Sequence, residues 1–351
     1  MTSPLDIYAG NHALEVIQQN GFEQSLFNTF LGASGGPKWF SLFGLDKYLF
    51  GEFFKQRNTP LSLIGSSAGA FRAACFAQHD PVAAITRLAQ HYSETVYSDK
   101  VTPAEITSKA RALLAEVFST DGATQIINNP IFLAHFIVAK TKGLVASENK
   151  ALQLAGLLKS YSFNRMSRSL LRGQYERFVF HNARSQLAFR DQSGFATHHV
   201  RLDQHNLADA LLASGSIPMV MQGIKNIPGS PAGMYRDGGI IDYHFDIEIK
   251  KPDGLTLYPH FNANPKAGWF DKSLKRKINP KNYSNTIMLV PSAEFIHSLP
   301  FGKIPDREDF SVLPANERIK YWQTVLSETD RLADAFAHFL HTQDLSTVKP
   351  L

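Results

Sequence analysis

Three short stretches of this 351-residue chain set reactive side chains among glycines. Gly65-Ser66-Ser67-Ala68-Gly69 fits the pattern G-x-S-x-G. A serine at its centre, on a sharp strand-to-helix turn, has a strained backbone that pushes the hydroxyl clear of the sheet edge. Gly65 and Gly69 let neighbouring backbone pass without a side-chain clash, and the N-terminus of the helix that follows adds positive partial charge beneath a developing oxyanion. The second stretch, Gly32-Ala33-Ser34-Gly35-Gly36-Pro37-Lys38, is not a phosphate-binding Walker loop. Pro37 separates its last glycine from the lysine, and Trp39 stands where Ser or Thr belongs. A Gly-Gly turn entering a helix still offers backbone N–H groups to an anion; a plain turn is the competing reading. The third is Asp237-Gly238-Gly239, a carboxylate before two glycines, in a combination that ordinary turns also use.

The elements around these stretches must bring them together. Residues 26–31 and 61–64 read as strands, each followed by a glycine turn and then a helix, over residues 38–54 and the alanine-rich 68–77. That alternation predicts an α/β fold with a mostly parallel sheet. Residues 81–171 read as nearly all helical, with breaks at Asn129-Pro130 and Lys142-Gly143, and the apolar run 131–138 within them as a buried helix, with a lipid-binding lid as the alternative. Strand patterns return at 178–180, 199–202, 238–241, 255–258 and 286–290; residues 207–213 and 315–340 read as helices. No Pro/Gly/Ser-rich linker divides the chain, so one compact domain with a helical insertion is expected.

Taken in order, the glycine-rich turn, the G-x-S-x-G elbow and the D-G-G stretch resemble the patatin-like phospholipases. Family sequences carry a D-G-G-G-x-R/K-G loop, a G-x-S-x-G elbow and a D-G-A/G motif. Ala213-Ser214-Gly215-Ser216-Ile217-Pro218 also looks like the family's A-S-x-A-x-P segment. The likeness runs over about residues 26–242, with 81–171 as the helical insertion; the C-terminal extension 250–351 carries no placeable motif. It implies a three-layer αβα fold and a lipid acyl hydrolase of phospholipase A type. In it Ser67 is the nucleophile and Asp237 its proton acceptor. Gly35 and Gly36, joined by Ala68, supply the oxyanion N–H donors, and Lys38 fills the family's basic position. Gly65, Gly69, Gly238 and Gly239 support the motifs. Ala33 and Ser34 replace the family's leading Asp-Gly, and Trp39 its closing glycine.

The same chemistry follows from the residues alone, because a serine hydroxyl is a weak nucleophile until a positioned base takes its proton. A carboxylate with a pKa near 4 is a poor base, so Asp237 needs a dry site and a direct hydrogen bond. A Ser–Asp–His triad is the rival arrangement, with His244, His260 or His297 as third member. Other readings are an esterase or thioesterase for small soluble substrates and a catalytically inactive lipid-binding module. His198-His199 and His338-x-x-His341 lack companion ligands at usual spacing, so neither a metal nor another cofactor is expected.

Composition bounds the remaining classes. Hydrophobic residues are 44% and charged residues 19%, as in an ordinary globular core. No basic n-region with an apolar h-region opens the chain, and no apolar run reaches the length of about 18 residues that spans a bilayer. The single cysteine, Cys75, lies among alanines and reads as a small core residue. These features predict a cytoplasmic protein, peripheral at membranes at most. Lys266, Lys272, Lys275, Arg276, Lys277 and Lys281, against Asp271 alone, carry a surplus equal to the net charge of +5 of the whole chain. A neutral body with one basic segment argues against nucleic-acid binding. With Trp269 and Phe270, the segment is either a contact for an anionic membrane surface or a solvated loop.

Overall fold

The computed structural model describes residues 3–250 and 254–351. In chain order the strands are β1 (Leu5–Ala9), β2 (Phe27–Gly32), β3 (Leu61–Ser66), β4 (Phe132–Thr141), β5 (Tyr175–His181), β6 (Ala188–Arg190), β7 (Thr197–Arg201), β8 (Ile224–Lys225), β9 (Met234–Asp237), β10 (Glu248–Lys250), β11 (Leu255–Pro259), β12 (Thr286–Pro291) and β13 (Lys349–Pro350). Eleven of them form one mixed sheet in the order β13-β1-β12-β11-β2-β3-β4-β5-β7, with β9 on β4 and β8 on β9; β6 and β10 make a separate ribbon. The centre, from β12 through β11, β2 and β3 to β4, is parallel throughout. β1 joins β12, and β5 joins β4, in antiparallel sense.

Side-chain alternation divides the core by the two faces of this sheet. Phe30, Leu63, Phe136, Val138, Phe178, Leu257 and Leu289 enter one apolar cluster, under the helices Phe43–Tyr48, Ala68–Phe76, Pro81–Ser93 and Leu207–Ser214. Their neighbours Leu31, Ile64, Ile137, Val179, Tyr258 and Met288 enter a second cluster on the other face. A third, around Val145, Leu157, Tyr175 and Ile240, receives the helix Lys150–Met166. Because both faces are covered, β3, β11 and β12 are buried along their whole length, which fits sequences that are mostly apolar with only small hydroxyl side chains among them. The architecture is the three-layer α/β arrangement that the alternation of strand and helix predicts. Among the described residues no helix is long and apolar enough to cross a membrane.

Four expectations need correction. Of the run 131–138, all but Ile131 belongs to strand β4, which lies between the helices Gly122–Asn128 and Lys150–Met166. A continuous apolar run fits a doubly covered strand as well as a buried helix, and periodicity does not separate them. The run 238–241 is not a strand but a 3₁₀ turn, Gly238–Ile240, that directly follows β9. The long C-terminal helix is two helices, Ala315–Glu328 and Asp330–Thr342. At the junction the Thr329 hydroxyl donates to the Leu326 carbonyl (2.6 Å) and accepts the Gly44 N–H (2.8 Å). The helix expected over 38–54 passes from 3₁₀ (Gly36–Leu42) through α (Phe43–Tyr48) to π geometry (Leu49–Phe53).

The helix Ala68–Phe76 lies unusually close to the sheet because small residues form its first turn. A Cβ built on Gly69 would sit 1.7 Å from the Gly32 carbonyl oxygen, and one on Gly65 would sit 2.2 Å from the Gly69 oxygen. A buried pair, Arg72 with Asp46 at 2.8 and 2.6 Å, ties this helix to Phe43–Tyr48. Overpacking a rigid contact costs about 1–3 kcal/mol or more. Gly69→Ala is therefore expected to lose about 3 kcal/mol of stability, read as a fall in denaturation midpoint. A wild-type midpoint would show that β2 and this helix can separate freely.

Candidate active site

Ser67 follows β3 with φ 53° and ψ −125°, a conformation that costs a non-glycine residue of order 1–3 kcal/mol. Hydrogen bonds on the turn hold it there. The Ser67 N–H donates to Ser214 Oγ (3.0 Å), which donates to the Ile137 carbonyl on β4 (2.7 Å). The helix Ala68–Phe76 then starts directly after Ser67.

Asp237 arrives from the opposite direction. β3 runs along one edge of β4 and ends with Ser66 opposite Ile137; β9 runs antiparallel to β4 and ends with Asp237 opposite Val138. The two strands thus meet head to head on neighbouring rungs. Although 170 residues apart in sequence, Ser67 Oγ donates to Asp237 Oδ2 at 2.9 Å. Asp237 Oδ1 accepts the Gly239 N–H at 2.7 Å. Ser67 and Asp237 are only 6% and 7% exposed. Burial pushes the Asp237 carboxyl up to about 6, against the opposing pull of the Gly239 N–H, the Ser67 hydroxyl, Arg307 and Lys272.

The two glycine-rich turns close around this pair. A Cβ on Gly238 would lie 2.1 Å from the Ile137 carbonyl, and one on Gly239 would lie 2.7 Å from Ser34 Oγ, so the D-G-G glycines are close-approach residues. Ser34 stands 3.1 Å from the Ser66 carbonyl and 3.0 Å from its hydroxyl, and its N–H donates to the Tyr243 carbonyl (3.0 Å). The residue that departs from the family pattern therefore stitches the turn to the elbow. Gly36 has φ +58°, and Gly35 leaves no room for a Cβ beside Phe261 (2.7 Å). Gly35 and Gly36 line the cleft with Ser67 and Asp237, and Ala68 opens the helix. Lys38 does not line that cleft; its ammonium pairs with Asp306.

The cleft has an empty volume of about 320 Å³, with Ile217, Pro218, Ile240 and Trp269 as apolar walls and Tyr243, Lys272 and Arg307 as polar ones. A wider cavity lies at the opposite ends of the parallel strands, beside Asn28, Thr256 and Thr286, and holds none of the candidate residues. The cleft at Ser67 is the candidate site, because it sits at the carboxyl ends of the parallel strands and contains the serine and the carboxylate bonded to it. Among the described residues no group of three or more His, Cys, Asp or Glu could hold a metal ion.

None of the three histidines touches the pair. His244 Nδ1 accepts the Lys266 N–H (2.8 Å) and His260 Nδ1 accepts the Asn262 N–H (2.9 Å). Burial drives both imidazoles far below their usual range, His260 to about 3. His297 Nδ1 meets the Ala293 carbonyl (2.7 Å) within its own exposed helix. Sequence reasoning missed the residues that hold the Asp237 turn. Arg177 makes a bidentate bond to Asp242 (2.5 and 2.8 Å), and Arg168 donates to the Ile241 carbonyl (2.5 Å). It also missed Lys272 and Arg307 in the cleft. The basic segment is partly internal: Arg276 bonds Asp271 (2.7 Å) and the Asn164 carbonyl (2.6 Å), while Trp269 and Phe270 pack on the third apolar cluster. Lys275, Lys277 and Lys281 remain exposed.

The raised Asp237 carboxyl has a stability consequence. The folded state holds this proton more tightly than the unfolded chain, whose carboxyl titrates near 4. Its contribution is therefore most favourable below pH 4 and is lost as pH rises through about 6. Asn can keep the Gly239 bond without ionising. Asp237→Asn is expected to exceed wild type in stability at pH 8, by up to about 3 kcal/mol, with the advantage disappearing towards pH 4. Thermal unfolding across this range tests it; a pH-independent difference would contradict the desolvated carboxylate.

Residues 33–244 match the family model for patatin-like phospholipases. A search of curated proteins gave no match. The match spans well over half of the chain and contains the elbow, the Gly-Gly turn and the D-G-G strand end whose meeting is described above. The chain belongs to the patatin-like phospholipase family, a family of lipid acyl hydrolases.

Proposed function

We propose that this chain is a serine hydrolase of lipid carboxylic esters, phospholipase A-like, working through a Ser67–Asp237 dyad without metal or organic cofactor. The observation that carries the reading is the 2.9 Å hydrogen bond from Ser67 Oγ to a carboxylate that is itself nearly out of water. Burial raises that carboxyl into the range of a useful base near neutral pH.

In this mechanism Ser67 Oγ attacks the ester carbonyl while Asp237 takes its proton. The carbonyl oxygen becomes an oxyanion and is met by the N–H groups of Gly35, Gly36 and Ala68, with each such donor worth about 3–4 kcal/mol in comparable sites. The tetrahedral intermediate collapses to the acyl-enzyme, and Asp237 returns the proton to the departing alkoxide. Water then attacks the acyl carbon, gives its proton to Asp237, and a second collapse releases the fatty acid and restores Ser67. Ile217, Pro218, Ile240 and Trp269 offer the apolar wall along which an acyl chain would lie. The narrowness of the cleft favours a second reading in which short acyl esters or thioesters are the better substrates. A chain-length series separates the two. Retention of both Ser67 and Asp237 argues against an inactive lipid-binding module, which needs neither.

A fluorophosphonate is expected to label Ser67 and no other serine, mapped by mass spectrometry. Ser67→Ala and Asp237→Asn should each remove nearly all turnover, because members of one catalytic unit are not additive. His297→Gln should leave it near wild type. The acid limb of kcat/KM should fall near pH 6, where Asp237 takes up its proton. Labelling at Ser34 or Ser214, or an indispensable His297, would defeat the dyad.

Peripheral contact with an anionic membrane surface is the second element of the proposal. It rests on the exposed Lys275, Lys277 and Lys281, each worth about 1 kcal/mol near an anionic leaflet. Arg276 is excluded because it bonds inward. The triple change of these lysines to Gln should weaken sedimentation with anionic vesicles at low salt. Equal binding by wild type and variant would mark the segment as solvated loop.

A further inference from the structure

Two cations stand in the cleft beside Ser67 with no direct ion pair among the described residues, although the Asp237 carboxylate attracts both from a distance. Lys272 and Arg307 both line it beside Ser67 and Asp237, and both lie beyond the residues matched by the family model. Each is preceded in sequence by an aspartate that could have neutralised it, and each aspartate is committed elsewhere. Asp271 is buried and takes Arg276, Asn164 and the Gly268 N–H. Asp306 takes Lys38. Among the described residues neither Lys272 nor Arg307 has an ion-pair partner within 4.0 Å.

Both side chains are held in place. The Arg307 stem lies against the oxyanion turn, with its Cγ 3.0 Å from where a Cβ on Gly36 would be. The Lys272 ammonium stands 4.1 Å above the Tyr243 ring and 5.9 Å from that of Trp269. Lys272 is exposed along part of its side chain and lines the cleft, where a ligand can reach it. The Lys272 ammonium is pushed down to about 8, first by desolvation and then by the Arg307 charge. At neutral pH these two positive charges repel one another; the Asp237 and Asp306 carboxylates offset part of that repulsion, and a bound anion would relieve the rest.

We infer that Lys272 and Arg307 form an anion subsite next to the nucleophile, which receives the phosphate of an acyl ester carrying its phosphate a few bonds from the scissile carbonyl. This deepens the hydrolase reading and rests on it. A guanidinium fork and an ammonium together match the several acceptor oxygens of a phosphate, whereas a neutral glyceride gives them nothing to bind. Placed on the oxyanion turn, the subsite would hold the head of such a substrate while its ester lies over Ser67. The C-terminal third, which contains no family motif, would thus set substrate choice.

The test uses two esters with the same short acyl chain, both monomeric in solution: 1-hexanoylglycerol and 1-hexanoylglycerol 3-phosphate. Wild type should favour the phosphate ester by about tenfold in kcat/KM, the size of one charge-assisted hydrogen bond. Lys272→Gln and Arg307→Gln should each lower that preference about fivefold or more, mainly through KM, and Arg307→Lys should retain more of it than Arg307→Gln. Independently of turnover, inorganic phosphate should raise the thermal midpoint of wild type and do so less for either Gln variant. No preference in wild type together with no phosphate stabilisation would overturn the subsite while leaving the hydrolase reading intact. Equal loss of kcat on both esters would also overturn it, because the cations would then serve the oxyanion. If neither ester were hydrolysed but phosphate still stabilised wild type and not the variants, the subsite would stand and the hydrolase reading would fail.

Discussion

The hydrogen bond between Ser67 and Asp237 exists because two strands of opposite sense end on adjacent rungs of a third. β3 stops opposite Ile137, β9 stops opposite Val138, and the residues at their tips have nowhere to go but towards one another. Backbone pairing, not side-chain affinity, sets the spacing, so the serine and the carboxylate meet in a rigid frame. The glycines follow from that frame. Gly238 passes over the Ile137 carbonyl, Gly239 passes Ser34, and Gly69 rests on Gly32, each where a methyl group would collide. Ser214 and Ser34 then fill the remaining hydrogen bonds at the junction, on either side of the elbow.

Closing two strand ends over a carboxylate removes water from it, and the electrostatics of the cleft are the consequence. Burial raises the Asp237 carboxyl; Gly239, Ser67, Arg307 and Lys272 oppose that rise and keep it near 6 rather than higher. A base in that range is useful at neutral pH, whereas an ordinary surface aspartate is too weak. The same desolvation is unfavourable to folding above pH 6, so the site combines a strained serine with an uncomfortable carboxylate. The buried sheet and the Arg72–Asp46 and Arg177–Asp242 pairs hold the surrounding elements in place.

The C-terminal third completes both sheet and cleft. β11 and β12 are central strands, buried on both faces. The segments after them bring Lys272, Arg307 and the Asp306 partner of Lys38 to the site. Its histidines serve packing instead. His244 and His260 are buried with rings 4.3 Å apart, each accepting a backbone N–H, far from the role of a triad base.

Short-range patterns made much of this protein legible in its sequence. A strand, a G-x-S-x-G turn and an alanine-rich helix are adjacent in the chain, so local pattern marks Ser67 as a candidate, and the resemblance carried by the order of the glycine motifs marks Asp237 and the Gly35-Gly36 turn. The tertiary structure decided what depends on distant partners. β4 could not be told from a buried helix until both faces were covered, yet that strand brings Ser67 and Asp237 together. Arg177, Arg168, Lys272 and Arg307 carry no spacing signal, because a long cation gains its meaning from a carboxylate or a cleft supplied by another part of the chain. The aromatic pair Trp269-Phe270 is half-buried against the third apolar cluster for the same reason. Periodicity reports which residues a single element buries; which element covers them is settled only when the layers close.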